Sequence, residues 1–293
     1  MMDARIEAVA ADRRARRMDR RGFFGRLMAI VGGSALAHQG LETGVGVAPL
    51  LSPDPPQEVG GEALPVKYPG AGATLDGYLS RPQANGPSPA VIVIHQGAGL
   101  NDPMRNVARR LAAEGFAALA VDLLSRQGGT ASFATPAEAA KAVATLAEDQ
   151  IVPDLHAAFR YLQSNSSVRP ERIAVLGFCW GGQQAFRYAA ANPDLKAAVV
   201  FNGSAPPAAK LQEIQCPVLA NYNETGTHAY VPETEELMKK YGKRFDPKIY
   251  SGAADTFCSD AGPNYNEAAA QDAWARTLAF LRENLDRGPR ASA

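Results

Sequence analysis

The chain has 293 residues, of which 46% are hydrophobic, and its 30 basic side chains balance its 30 acidic ones. This length allows one large domain with a well-buried core, and the zero net charge gives no indication of nucleic-acid binding. The three cysteines, Cys179, Cys216 and Cys258, form no disulfide framework. Since the four histidines are scattered and no Cys/His cluster has metal-ligand spacing, we expect no metal site.

The first 28 residues differ in charge from the rest of the chain. They hold eight Arg, no Lys and four acidic residues, which leaves 22 basic and 26 acidic side chains in the remainder. The pair Arg20-Arg21 precedes a short apolar run that ends in the A-x-A pattern at Ala37. This order predicts a twin-arginine export signal with cleavage after about Ala37. The alternatives are a disordered basic tail or an uncleaved anchor, although a run of about 11 residues is too short to span a bilayer.

The predicted segments follow from this reading of the N-terminus. Residues 1–37 form the signal, 38–62 a linker rich in Gly, Pro and Ser, 63–288 the folded domain, and 289–293 a tail. After cleavage the protein would function in the bacterial periplasm or be secreted, without a stable membrane anchor. Its only predicted macromolecular partner is the export machinery.

Strands and helices alternate along the domain. The pattern predicts strands over 90–95, 116–124, 172–178, 195–203, 216–223 and 245–253, and helices over 102–115, 135–165 with an interruption at Pro153, 181–192, 232–243 and 267–285. Such alternation is typical of an α/β fold with a mostly parallel, doubly wound sheet and helices on both faces. Ligands of these folds bind at the carboxyl ends of the strands.

The stretch LGFCWGG places Cys179 between a strand and a helix, with Gly177 and Gly181 two residues to either side. G-x-nucleophile-x-G in this position is typical of a nucleophile elbow. The helix N-terminus would favour a thiolate, and the N–H groups of Trp180 and Gly97 are the predicted oxyanion donors. The alternative is a buried structural cysteine in a glycine-rich turn.

Four motifs make residues 64–286 resemble the dienelactone hydrolase family. In chain order they are AVIVIHQGAGLNDPMRNVARRLAAEGFAALAVDLLSRQGG, GFCWGG, CPVLANYN and YSGAADTFCSDAGPNYNEAAAQDAWARTLAFL. The resemblance implies an α/β-hydrolase fold and hydrolysis of an ester or lactone by a Cys-His-Asp triad without a cofactor. It also implies that Cys179 is the nucleophile and that Arg126 binds a substrate carboxylate.

Three positions depart from the family pattern. Gly226 stands where the family's acid is expected, Asp255 where its histidine is expected, and Gln96 where a glutamate normally follows the histidine of an earlier strand. Ester hydrolysis through a thiol needs a base and an acid. An ionised Asp255 is a poor base at neutral pH and Gln96 cannot take a proton, so Gln96 is predicted only to contact substrate.

An exchange of residue types between two loops would restore the triad. His228 follows the vacant acid position by two residues, so it is predicted as the base, oriented by Asp255, with Cys179 as nucleophile. Alternatively, His228 is an exposed loop residue. Glu224 is a weaker substitute for the acid.

The remaining histidines and Trp180 have structural interpretations. His95 could shape the oxyanion loop, but a packed, hydrogen-bonded histidine is the commoner arrangement, and His156 falls within a predicted helix. Trp180 is equally consistent with a pocket wall and with packing against the sheet.

Three functions compete at this stage. The first is an exported enzyme that hydrolyses a small ester or lactone through Cys179. The second is a catalytically impaired relative that binds a small ligand. A thiol redox role is disfavoured because Cys179 has no adjacent resolving cysteine in the sequence.

Overall fold

A computed structural model describes residues 61–83, 86–224, 230–253, 257–258 and 265–286. Eight strands form one sheet in these residues: β1 (Gly61–Gly70), β2 (Ala73–Pro82), β3 (Ser88–Ile94), β4 (Ala117–Asp122), β5 (Val168–Phe178), β6 (Ala197–Phe201), β7 (Val218–Asn223) and β8 (Phe245–Tyr250). The helices are α1 (Asp102–Ala113), α2 (Pro136–Ala144), α3 (Glu148–Ser164), α4 (Trp180–Ala191), α5 (Ala208–Leu211), α6 (Val231–Lys240) and α7 (Glu267–Leu285). Within the described part of the chain, no helix is long and apolar enough to span a membrane.

The sheet has the strand order β1-β2-β4-β3-β5-β6-β7-β8. β1 pairs with β2, and β2 with β4, in antiparallel register, whereas every pair from β4 to β8 is parallel. This confirms the predicted, mostly parallel α/β-hydrolase sheet. The antiparallel hairpin at one edge was not predicted strand by strand, and its first residue, Gly61, lies inside the predicted linker.

The sheet carries helices on both faces. α1 and α7 cover one face with an apolar cluster that includes Met104, Leu111 and Leu281. α3, α4 and α6 cover the other face, where Leu155, Phe186 and Met238 are fully buried. Continuous apolar runs form the central strands because both of their faces are buried.

Local signals place the ends of several helices. The Asn101 side chain accepts a hydrogen bond from the Met104 N–H (3.3 Å) and begins α1, and Asn266 caps α7 through the Ala269 N–H (3.1 Å). Both are ordinary N-caps. Gly115 follows α1 with a φ of 94°. Glycine is favoured after a helix in this left-handed conformation because it has no Cβ.

The helical segment predicted over 135–165 is broken in a different place. The prediction put the interruption at Pro153, but Pro153 lies inside α3 and the break falls at 145–147. There Ala147 is extended, with ψ of 144°, and the Thr145 hydroxyl donates to the Ala142 carbonyl (2.8 Å). α3 tolerates the proline because its buried face, including Ile151 and Leu155, holds the helix against the sheet.

Candidate active site

Cys179 has the strained backbone expected of a nucleophile elbow. Its φ of 52° and ψ of −113° join the end of β5 to the start of α4. Among the described residues, only Asn202 is another non-glycine with positive φ. The Cys179 N–H donates to the Phe201 carbonyl (2.7 Å), and the Cys179 carbonyl accepts from the Gln183 N–H (3.1 Å). These bonds hold a half-buried thiol in a conformation that costs free energy.

The flanking glycines are required by the close approach of backbone segments. A Cβ on Gly177 would lie 2.0 Å from the Gly181 carbonyl oxygen, and one on Gly181 would lie 2.3 Å from the His95 carbonyl oxygen. Neither position has room for a side chain, so the elbow and the loop after β3 pack backbone against backbone. The glycine spacing noted in the sequence therefore has a steric cause.

The two predicted oxyanion donors lie after neighbouring strands. Trp180 is the first residue of α4, and the first N–H groups of a helix have no intrahelical acceptor. Gly97 follows β3, which pairs in parallel with β5, and a Cβ built on it would meet nothing within 4 Å. The fold thus brings both segments to one edge of the sheet, as two N–H groups that share an oxyanion require.

His95 is a structural histidine. The ring is fully buried, its Nδ1 lies 2.7 Å from the Gln96 carbonyl oxygen, and its Nε2 accepts from the Leu123 N–H (3.3 Å). Burial lowers the pKa of His95, so the neutral tautomer with a proton on Nδ1 satisfies both contacts. The ring stacks on Trp180, with centroids 5.6 Å apart, so Trp180 packs against the segment that follows β3.

The predicted substrate-binding residues have protein partners. Arg126 donates to both carboxylate oxygens of Asp154 (Nη2 at 2.7 Å, Nε at 3.0 Å) and to the Ala71 carbonyl (2.8 Å). The hydrogen bond with Asp154 raises the pKa of Arg126. Gln96 is half-buried, and its backbone carbonyl accepts from Gly99 (3.2 Å) as well as from His95. Substrate binding by Arg126 and Gln96 stays a prediction.

Two of the three predicted triad positions lie outside the described residues. These are His228 and Asp255, together with the vacant acid position Gly226. The segments that lead into them are tied together by Glu224, whose N–H donates to the Ala253 carbonyl (2.9 Å). The Glu224 carboxylate accepts from the Gly252 N–H (2.6 Å) and from the Ser251 hydroxyl (3.3 Å). Glu224 therefore acts as a brace between the two loops rather than as a lone acid.

Tyr230 anchors the other end of the His228 loop. Its hydroxyl donates to the Gly203 carbonyl (2.9 Å), which also accepts from the Tyr222 hydroxyl (3.2 Å). A Cβ on Gly203 would lie 2.2 Å from the Gln183 amide nitrogen in the first turn of α4. The two tyrosines thereby fix the backbone against which the elbow helix begins.

Cys258 is a buried cysteine in the segment that follows β8. It is 4% exposed, and burial together with the charge of Cys179 raises its pKa, an effect opposed by Arg110. Cys258 lies three residues after Asp255, in the segment where the family histidine is expected.

A small cavity lies beside the segment that follows β3. Its volume is about 160 Å³, and Ala98, Asn101, Phe133 and Ala139 contribute to its wall. Ala139 belongs to an apolar cluster against which Phe133 and Trp180 both pack, so one cluster connects the cavity wall to the first residue of α4. The described part of the chain has no group of three or more His, Cys, Asp or Glu that could hold a metal ion.

The parallel sheet with a strained cysteine elbow after β5 defines an α/β-hydrolase. Residues 75–285 match the Dienelactone hydrolase family, and the chain belongs to that family. It is therefore a dienelactone hydrolase-like hydrolase.

Three known proteins illustrate the similarity. An Escherichia coli protein named as a carboxymethylenebutenolidase is 33% identical over 233 residues, which cover 73% of this chain and 84% of that protein. A Bradyrhizobium protein named as a 2-oxo-3-(5-oxofuran-2-ylidene)propanoate lactonase is 32% identical, over 71% of this chain and 89% of its own length. A crystal structure described as a dienelactone hydrolase from Klebsiella pneumoniae aligns with a TM-score of 0.69 and 28% identity, over 76% of this chain and 99% of that chain.

Proposed function

We propose that this hydrolase cleaves small esters or lactones through an acyl-enzyme intermediate on Cys179. The observation that carries the proposal is the elbow: a half-buried thiol at φ of 52°, at the start of α4. A helix N-terminus stabilises a thiolate, and the strained turn presents it at the ligand-binding edge of the sheet.

The reaction has two stages. The Cys179 thiolate attacks the ester carbonyl, and the oxyanion that forms receives hydrogen bonds from the Trp180 and Gly97 N–H groups. The carbon–oxygen bond to the leaving group then breaks, and the leaving alkoxide takes a proton. Water attacks the thioester in the second stage, releases the acid and restores the thiolate.

We assign the proton transfers to His228, oriented by Asp255. His95 is unsuited to this role because both of its ring nitrogens already have partners and burial disfavours its charged form. The brace at Glu224 supports the assignment, since it ties the segment before His228 to the segment before Asp255. No cofactor or metal takes part in the proposed reaction.

The substrate class follows from the relatives and from the cavity beside the segment that follows β3. The Bradyrhizobium relative is named as a lactonase, and a space of about 160 Å³ suits a short acyl or alcohol group. A substrate carboxylate would have to compete with Asp154 for Arg126. We therefore expect small esters and lactones to be the substrates.

The test is the pH–rate profile for a 4-nitrophenyl ester, measured on the wild type, Cys179→Ala, His228→Ala and the control His156→Ala. The proposal expects loss of turnover in the first two variants, a wild-type profile in the control, and a wild-type apparent pKa of about 6–7 for the base. Turnover in His228→Ala equal to wild type would overturn the exchanged triad. Wild-type turnover no greater than that of Cys179→Ala would favour a ligand-binding relative, the alternative suggested by Gly226, Asp255 and Gln96.

We also propose that the protein is exported through the twin-arginine pathway and functions in the periplasm or outside a bacterial cell. The sequence Arg20-Arg21-Gly-Phe-Phe supports this, although these residues lie outside the described ranges. Replacing both arginines by lysine should retain the protein in the cytoplasm, as measured by cell fractionation. Unchanged export of the double variant would contradict the assignment.

A further inference from the structure

The backbone after β6 adopts a left-handed conformation at Asn202. Its φ is 53°, and Cys179 is the only other non-glycine with a positive φ among the described residues. The two residues follow neighbouring parallel strands, β5 and β6. Strained residues that are held by the surrounding structure are concentrated at functional sites, which makes Asn202 a candidate for a role in this one.

The backbone on either side of Asn202 packs against the elbow. The Phe201 carbonyl accepts from the Cys179 N–H (2.7 Å), and a Cβ on Gly182, in the first turn of α4, would lie 2.5 Å from that carbonyl oxygen. A Cβ on Gly203 would lie 2.2 Å from the Gly182 carbonyl carbon. Because these contacts leave no free space, a shift of the backbone at Asn202 would also move the elbow.

Asn202 also connects β6 to the end of β7. The last registered pair of these two strands is Phe201 with Asn221, and the Asn202 N–H donates to the Asn221 carbonyl (3.0 Å). Beyond that pair, the side-chain Oδ1 of Asn202 accepts from the Asn223 N–H (2.7 Å). Asn223 is fully buried and is the last residue of β7. The Asn202 side chain therefore continues the connection between the strands past the end of their ladder.

The end of β7 leads directly into the bonds that reach β8. Asn223 precedes Glu224, whose N–H donates to the Ala253 carbonyl (2.9 Å) and whose carboxylate accepts from the Gly252 N–H (2.6 Å). Hydrogen bonds thus run from the elbow through Asn202 to the segments that follow β7 and β8. Asn202 is the point at which a side chain, rather than the strand ladder, makes the connection.

We propose that Asn202 is a positioning residue, which holds the end of β7 in place against the Cys179 elbow. Its catalytic importance rests on the proposed function, in which the segment after β7 supplies His228 as the base. The position has two requirements: a positive φ and a side-chain acceptor oxygen. Asparagine and aspartate meet both requirements, whereas glycine meets only the first.

Three variants separate these requirements. Asn202→Gly keeps the positive φ accessible and removes the acceptor, and Asn202→Asp keeps both but adds a charge. Asn165→Gly is the matched control. Asn165 is also half-buried, and its Oδ1 accepts from the Ser167 N–H (3.0 Å), but it lies before β5, at the opposite end of that strand from the elbow.

The experiment combines hydrolysis of 4-nitrophenyl acetate with hydrogen–deuterium exchange of the peptide that contains residues 218–224. For Asn202→Gly we expect kcat to fall about tenfold with little change in KM. The amides at the end of β7 should exchange about fivefold faster, because one of them loses its acceptor. Asn202→Asp should recover part of kcat. Asn165→Gly should match the wild type in kcat and in the exchange of this peptide.

The exchange measurement tests the proposal with or without ester turnover. Unchanged exchange at the end of β7 in Asn202→Gly would overturn it, as would faster exchange with an unchanged kcat in an active enzyme. A kcat for Asn202→Asp no higher than that for Asn202→Gly would also overturn it. In the wild type, an Asn223 amide without protection from exchange would do the same, whether or not a variant folds.

Failure of the proposed hydrolysis gives a different result. Wild-type turnover no greater than that of Cys179→Ala would overturn the hydrolysis, while faster exchange in Asn202→Gly would still support the connection between Asn202 and β7. The two failures are therefore distinguishable.

Discussion

Cys179 keeps its strained backbone because its neighbours lack side chains. The carbonyl oxygens of Gly181 and His95 occupy the space that Cβ atoms on Gly177 and Gly181 would need. The strain at Cys179 is balanced by these backbone contacts and by the hydrogen bond from the Cys179 N–H to the Phe201 carbonyl. At this scale, glycine is a steric requirement of the site.

Gly181→Ala should therefore lower the free energy of unfolding by about 1–3 kcal/mol, the usual cost of overpacking, and should abolish ester turnover. Urea denaturation and a 4-nitrophenyl acetate assay would measure the two effects. Gly97→Ala is the control because a Cβ there meets nothing within 4 Å and the backbone N–H is retained. Equal stability of Gly181→Ala and wild type would contradict the packing described.

Glu224 should influence catalysis through the loops that it joins. Glu224→Ala removes the acceptor of the Gly252 N–H and the Ser251 hydroxyl, so we expect kcat for the activated ester to fall about tenfold, equivalent to about 1.4 kcal/mol, with little change in KM. Glu224→Gln should recover part of the rate, because its amide oxygen can still accept. The control is Glu213→Ala, which removes an exposed acid paired with Lys210. A similar fall in kcat for this variant would show that the assay reports general surface effects instead.

At the scale of elements, the residues of the proposed site come from segments that follow β3, β5, β7 and β8. α2 and the segment before it close the small cavity, with Phe133 and Ala139 in its wall. Trp180 connects that cavity to the elbow by packing on the same cluster and by stacking on His95. The width of this cavity is therefore set in part by a helix that carries none of the proposed catalytic residues.

Phe133→Ala should widen this cavity and shift chain-length preference. We expect kcat/KM for a 4-nitrophenyl butyrate ester to rise relative to the acetate ester, by up to about 15-fold if two buried methylene groups contribute about 0.8 kcal/mol each. Ile249→Ala, an exposed residue of the edge strand β8, serves as the control. An unchanged butyrate-to-acetate ratio in Phe133→Ala would exclude this cavity as the acyl site.

The elements themselves could largely be predicted from the sequence. Apolar runs such as AVIVI, and the G-x-C-x-G spacing, are local and strong, and α7 begins and ends where its periodicity places it. The break between α2 and α3 was misplaced because tertiary packing on Ile151 and Leu155 outweighs the helix-breaking tendency of Pro153. Tertiary packing is a non-local effect that propensity does not report.

The functional contacts were harder to predict for the same reason. The hydrogen bonds that join Glu224 to Gly252 and to Ala253 connect positions far apart in the chain. A sequence pattern identifies the residue types on each loop, but the distance between loops depends on strand order. The pairing of His95 with Leu123 likewise depends on β3 lying beside β4.

At the scale of the whole molecule, a neutral histidine buried under the sheet edge links stability to pH. Burial lowers the pKa of His95 in the folded state below its usual value of about 6.5. The unfolded chain therefore binds a proton below about pH 6.5 that the folded protein does not bind. Stability from this group is fully present above pH 6.5 and is lost as pH falls toward the lowered folded-state pKa.

We expect the free energy of unfolding to fall below pH 6.5 by up to about 1.4 kcal/mol per pH unit from His95, as measured by urea denaturation between pH 5 and 7.5. His95→Gln should be less stable at pH 7.5 but should show a smaller slope. A slope in His95→Gln as steep as in the wild type would assign the acid sensitivity to other groups.

The central claim is that Cys179 forms a covalent acyl intermediate, and the most direct measurement is the mass of the enzyme quenched in acid shortly after mixing with 4-nitrophenyl acetate. The account predicts a mass gain of one acetyl group, located by digestion on the peptide that contains Cys179 and absent from Cys179→Ala. Release of nitrophenol at a rate above the uncatalysed background, with no acetyl group on Cys179 at any quench time, would contradict it.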